Sequence, residues 1–343
     1  MRVAGTDPGT SSLDVVVLED GRPIAERRWT PDEVAASPGE VLSFLEANGP
    51  LACVAAPSGY GMPLRKVQEA SEYELALATL VRRDDPRRVR GVPGLSRLLR
   101  SLAQSKLPAV FLPGGIHLPT IPRRRKVNRI DLGTADKICL VALALYQLAA
   151  ERSSALRDLH FLLVEVGSAF SAVLAVAGGK VVDALGGTSG PVGLRSAGAL
   201  DGEVAYLLSP LTKDDLFSGG VGRAPDDEGR EELAESLAKA VGALATIAPV
   251  DTVVLSGEGL RDERLQEKVE ARLAAQLPVT PLNALPGASL KQAAQGAALI
   301  ADGLAGGRHA NLVEHLELEA ASGDVLDYLR HPSLDGIREL FEG

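Results

Sequence analysis

The chain has 343 residues, 45% of them apolar, and a formal charge of −9. That length suits two domains of ordinary size, and no run of about 18 uninterrupted apolar residues exists to cross a membrane. The acidic balance argues against non-specific nucleic-acid binding, and the opening residues enter an apolar strand without a charged leader, so a cytoplasmic location is expected.

In chain order, Val3 to Thr6, Ser12 to Glu19 and Arg22 to Trp29 read as strands, the last two joined by the tight hairpin signal Asp20-Gly21. Ser37-Pro38-Gly39-Glu40 supplies an N-cap, a proline at the first helical position and a capping-box glutamate. The helix it opens carries Val41, Leu42 and Leu45 on one face and stops at Asn48-Gly49. Leu51 to Ala56 is a strand that runs into the turn-rich Pro57 to Gly61. Helices are expected over Lys66 to Val81 and Leu95 to Gln104, then a short strand near Val110. Arg82 to Arg90 and Arg123 to Arg129 hold five basic residues each; they read as solvated surface loops or as patches for phosphate or another anion.

A further helix begins near Gly133 to Lys137 and runs to Ala150. Phe161 to Val166, Phe170 to Ala177 and Lys180 to Leu185 are strands, with Gly178-Gly179 turning between the last two. Glycine-rich sequence follows to Gly202. A helix occupies Glu228 to Ile247, Thr252 to Leu255 is a buried strand, and helices begin at Arg261 and span Ser289 to Leu304. The last thirty-odd residues read as helical and charged. Cys53 and Cys139 sit in apolar runs and read as small buried hydrophobes, and the five histidines show no metal-binding spacing.

A repeat organises these elements. Set without gaps, Val3 onward aligns with Phe161 onward: Asp7 falls on Glu165, Gly9 on Gly167, Thr10 on Ser168, Val15 on Val173, Asp20-Gly21 on Gly178-Gly179 and Ile24 on Val182. Each half therefore opens with a three-stranded meander whose first turn carries an acid, a glycine and a hydroxyl residue. Glycine lets backbone N–H groups converge on a phosphate, and Thr or Ser adds a hydroxyl donor. A carboxylate beside that cradle repels phosphate unless it holds Mg²⁺ against the phosphate oxygens.

With these turns in place the sequence resembles the acetate and sugar kinase, heat-shock-protein ATPase and actin superfamily. Gly5 to Thr10 resembles its first phosphate segment, Val164 to Ser168 the second, and Val253 to Gly259 the adenosine segment. Gly133 to Leu145 and Ser289 to Leu304 resemble the two connecting helices. The resemblance implies an α/β fold of two ribonuclease-H-like domains, each a βββαβαβα unit, with a nucleotide cleft between them. One domain would take residues 1–132 with 306–343, the other 133–305. Within the superfamily, Asp183 to Pro191 and the following Leu194-Arg195-Ser196-Ala197-Gly198 resemble butyrate and acetate kinases. The whole chain looks most like uncharacterised archaeal proteins predicted to be butyrate kinases.

The roles implied are an ATP and Mg²⁺ site. Asp7 would anchor the metal, its structural alternative being an Asx-turn. Gly9, Thr10 and Ser11 would donate to the β- and γ-phosphates, and Gly167 with Ser168 would complete a second cradle. Glu165 would share the metal by orienting its bound water, or act as a base, since a buried glutamate without a partner is costly. Gly257, Glu258 and Gly259 would border the adenosine, with an ordinary strand–helix turn as the alternative. Arg195 would stabilise the transferring phosphoryl group or, on the plainer reading, lie at the surface. Asp136 and Lys137 would face the cleft or cap the first connecting helix. The expected activity is ATP-dependent phosphorylation of a small carboxylate, with a homodimer by analogy. The alternatives are an alcohol or sugar kinase using Glu165 as base, and an ATPase that switches a partner protein. An activator ATPase bearing an iron–sulfur cluster is disfavoured by the mid-strand Cys53 and mid-helix Cys139.

Overall fold

A computed structural model describes residues 1–82, 92–332 and 336–341. β1 (Arg2–Pro8), β2 (Leu13–Glu19) and β3 (Arg22–Trp29) form the expected meander. The first strand runs two residues further than its apolar core, so Asp7 is still in the ladder, opposite Asp14. α1 (Pro31–Ala36), not expected from the sequence, is opened by a capping box between Thr30 and Glu33. With α2 (Pro38–Ala47) it carries the chain over to β4 (Leu51–Ala55), which lies parallel to β1.

The helix expected from Lys66 is shorter. Arg65–Lys66 forms a small edge strand, β5, and α3 (Glu72–Thr79) begins only where Ser71 and Glu74 make a second capping box. α4 (Val92–Gln104) leads to β6 (Ala109–Phe111), and the six-stranded sheet has the order β3-β2-β1-β4-β6-β5. The basic stretch Arg82 to Arg90 lies outside the described residues beyond Arg82.

After α5 (Arg123–Lys126) and α6 (Ala135–Arg152), β7 (Phe161–Val166), β8 (Ser171–Ala177) and β9 (Lys180–Gly186) repeat the meander. Thr6 pairs with Val15 in the first ladder, and the equivalent Val164 pairs with Val173 in the second. Even the irregularity recurs: the register slips between Val17 and Leu18, and again between Ala175 and Val176. α7 (Gly202–Leu208), also unforeseen, precedes α8 (Asp227–Ala245), β10 (Thr252–Ser256), α9 (Glu263–Ala274) and β11 (Val279–Pro281). The second sheet runs β11-β10-β7-β8-β9, the same order as the first without its β5 edge.

Alternation along the strands sorts the core into layers. Ala4, Val15 and Val17 face outward beneath Val41, Leu45, Leu98 and Leu102 of α2 and α4. Leu162, Val164 and Val173 face outward beneath Leu233, Leu237 and Val269 of α8 and α9. The inward faces, with Val3, Val16 and Leu18 from one sheet and Leu163, Leu174 and Val176 from the other, enclose α6 and α10 (Gln292–Leu304). α10 lies against β1, β2 and β4 and crosses α6 closely. A side chain at Gly5 would strike the backbone of Ala294 and Ala298, and one at Gly296 the backbone of Cys139. Both cysteines are buried, as expected.

Two expectations need correction. The Arg123 to Arg129 stretch is only in part a solvated surface, with Arg123 and Arg124 exposed but their neighbours turned inward. Lys126 is buried, donating to the Leu118 carbonyl at 2.7 Å, and Arg125 donates to the Val182 carbonyl at 2.7 Å and faces Asp183. Among the described residues, the helical C-terminal stretch is broken into α11 (Ala310–His315) and short 3₁₀ turns at Leu318–Ala320 and Arg338–Leu340, and backbone bonds such as Asn128 N–H to Tyr328 O tie it to the body.

Candidate active site

The two acidic turns face one another. Asp7 and Glu165, at the ends of β1 and β7, are both buried and line a single cleft of about 460 Å³ together with Gly9, Thr10, Gly167 and Ser168. At its rim the hydroxyls of Thr10 and Ser168 meet at 2.6 Å. Burial raises Asp7 from the ordinary carboxylate range to about 6, against the pull of Lys291. Burial likewise raises Glu165 to about 7, against the pull of Lys137.

The start of α6 supplies the floor. Asp136 and Lys137 both line the cleft, and Asp136 also stands in the first turn of the helix. Lys137 Nζ lies 2.5 Å from Asp136 Oδ2 and 3.3 Å from Glu165 Oε2. Burial works against each of these charges. Lys137 nonetheless holds Asp136 below its usual range, and the surrounding carboxylates hold Lys137 above its own.

Lys291, just before α10, is the residue the sequence reading missed. Its ammonium sits 3.6 Å from Asp7 Oδ2, donates to the Ser12 carbonyl at 3.2 Å and presses on Gly9, where a Cβ would collide with it. Asp14 is also unforeseen. Fully buried, it accepts from Ser12 Oγ at 2.6 Å, from Arg28 through both carboxylate oxygens and from the Lys291 backbone N–H, and so anchors the first turn from below.

Gly257, Glu258 and Gly259 follow β10 at the same rim. The glycines have a packing cause: Gly257 adopts φ +123°, and a Cβ there or at Gly259 would collide with Val166. Glu258 accepts from Ser11 Oγ at 3.0 Å, joining the first turn to the second unit. Arg195 lies apart from the larger cleft. It lines an adjoining hollow of about 170 Å³ with Thr10, Ser11, Ser168, Arg223 and Glu258, and its guanidinium stands 5.4 Å over the Phe217 ring. Phe217 itself borders the cleft and meets Phe170 edge-on at 4.8 Å.

Among the described residues, no group of three or more His, Cys, Asp and Glu could hold a metal ion by itself. The residues present do fit a metal carried in with phosphate. Glu165 Oε2 is buried without a hydrogen bond, although Lys137 is near, and Asp7, the second buried carboxylate, lines the same cleft. The buried thiols of Cys53 and Cys139 are pushed upward by burial and offer no cluster ligands. Among the described residues, no helix is long and apolar enough to cross a membrane.

A family model described as protein of unknown function (DUF1464) matches residues 5–331. No curated protein matches the chain. Among solved structures, a propionate kinase from Francisella tularensis is 13% identical, with 86% of this chain and 98% of that one covered at a TM-score of 0.58. An acetate kinase from Entamoeba histolytica is 14% identical, covering 80% and 87% at 0.56, and one from Porphyromonas gingivalis is 14% identical, covering 86% and 98% at 0.56. At such identities the likeness concerns the fold: two linked sheets of the actin-like ATPase kind.

Proposed function

The chain belongs to the family described as protein of unknown function (DUF1464), and for it we propose an ATP-dependent phosphotransferase that converts a small carboxylate, of the butyrate or acetate kind, to an acyl phosphate. The observation that carries this reading is the meeting of the two acidic turns at one cleft, with Thr10 and Ser168 in contact. Glycine turns offer backbone donors to a phosphate chain from both sides, and few other arrangements require the same device twice. The acetate and propionate kinases that share the fold act, by their names, on short carboxylates, which supports the choice of acceptor.

Asp7, with Glu165 beside it, would hold Mg²⁺, whose positive charge would offset that of the nucleotide's phosphates. The rest falls to the chain's own groups. A carboxylate acceptor is already ionised at neutral pH, so positive charge matters more than a base. Lys137 stands on the cleft floor and Arg195 in the adjoining hollow beside Thr10 and Ser168. Such charge draws two anions together and stabilises the transferring group; losing one such contact costs about 3 kcal/mol in the barrier. Thr10, Ser11 and Ser168 orient the phosphate chain.

A second reading has its own support. Glu165 near pH 7 suits a general base, as an alcohol or sugar acceptor needs. Incubation with ATP, Mg²⁺ and panels of acids and sugars, with hydroxylamine as trap, separates the two. Hydroxamate from short-chain acids supports the carboxylate kinase; ADP formed only with hydroxyl acceptors overturns it for the alcohol kinase. Slow, acceptor-independent hydrolysis would instead leave a partner-switching ATPase.

A further inference from the structure

We propose that Lys291, Arg28 and Arg261 form the seat of a polyphosphate anion, and that the Glu258 carboxylate holds their charge until that anion displaces it. The proposal deepens the phosphotransferase reading and rests on it for identifying the anion as a nucleotide's phosphate chain.

Glu258 stands where the larger cleft and the smaller hollow meet, lining both. Its Oε2 accepts from Ser11 Oγ at 3.0 Å and faces Lys291 Nζ at 3.7 Å. Its Oε1 faces Arg28 Nη2 at 3.4 Å and Arg261 Nη2 at 3.2 Å. Three cations and a hydroxyl thus converge on one carboxylate, the set of donors a terminal phosphate takes. They come from both halves of the molecule: Ser11 and Arg28 from the first meander, Arg261 from beyond β10, Lys291 from the entry to α10.

Two of the three cations are held in place independently of Glu258, while Arg261 is paired with it. Arg28 is fixed by its two-pronged contact with buried Asp14, and Lys291 by Ser12 O and Asp7. Removing Glu258 therefore leaves an assembled cationic seat against Gly9. The Lys291 side chain is only 9% exposed, and a buried ammonium needs compensating charge. Glu258 supplies part of it in the empty protein. A phosphate chain brings more negative charge and more acceptor oxygens to the same donors, so it competes on favourable terms. Its entry would also release the bond from Ser11 that ties the first turn to the second unit.

The test is calorimetric titration of the full chain with inorganic tripolyphosphate in the absence of magnesium. Glu258→Gln is expected to bind about tenfold more tightly than the wild type, and Lys291→Met about tenfold more weakly, the scale of one charge-assisted contact. Arg261→Gln, at a side chain 69% exposed and so without consequence for folding, is expected to weaken binding about threefold. Equal or weaker binding by Glu258→Gln, or wild-type affinity in both Lys291→Met and Arg261→Gln, overturns the proposal. If tripolyphosphate behaves as expected while Mg-ATP fails to bind, the anion seat stands and the kinase reading falls.

Discussion

Thr10 and Ser168 occupy equivalent places in the two copies of the meander, 158 positions apart in the chain, and their hydroxyl oxygens lie 2.6 Å from one another. Duplication has set the same kind of donor on both lips of one cleft. The two hydroxyls then act on one phosphate chain from opposite sides. Thr10→Val and Ser168→Ala are each expected to weaken binding of a non-hydrolysable Mg-ATP analogue about tenfold. Because the residues touch, the double variant should lose less than the product of the single losses. Calorimetry on the four proteins reads the coupling; losses that multiply would show the hydroxyls acting independently.

Glu165 gives the empty protein a pH signature. Burial keeps it protonated to about 7 in the fold, whereas its ordinary value is 4.5. Its contribution to stability is therefore complete below about 4.5 and is lost as pH rises through about 7. Glu165→Gln removes that loss. The stability of the variant relative to wild type should increase from pH 5 to pH 8, measured by denaturant unfolding at each pH. Parallel profiles would mean that Glu165 stays ionised in the fold. His117, which burial lowers to about 4, works in the opposite direction, losing its contribution as pH falls below 6.5; it is common to both proteins and cancels in the difference.

α10 packs against β1 and α6 where only glycine leaves room. Gly5→Ala and Gly296→Ala place a methyl group onto the backbones of Ala298 and Cys139, and each is expected to cost about 1–3 kcal/mol in urea unfolding. Gly39 in α2 has nothing within 4 Å of the site of a Cβ, so Gly39→Ala should be neutral or stabilising by up to about 1 kcal/mol. Equal effects at all three positions would contradict the packing argument.

Much of this was legible in the chain because it is written locally. The meanders follow from alternating apolar residues and paired hairpin signals, and the repeat from like chemistry at Asp7 and Glu165. Lys291 was not, because its meaning comes from Ser12, 279 positions away, and no local pattern marks it. Gly257 and Gly259 read as space for a ligand, and a packing demand invisible in the sequence falls on the same positions, because a Cβ at either would collide with Val166. The basic run at Arg123 showed its charge but not its destination: Lys126 is turned inward to the Leu118 carbonyl and under Tyr328. A hydrophobic pattern reveals which face is buried, but polar contacts made across the fold leave no such trace.

The central claim is that both acidic turns close on one nucleotide. Hydrogen–deuterium exchange of the full chain, with and without Mg²⁺ and a non-hydrolysable ATP analogue, tests it directly. The account predicts that residues 7–12 and 165–170 gain protection together at the same nucleotide concentration. Protection of one turn alone, or of neither while the nucleotide is bound, would contradict it.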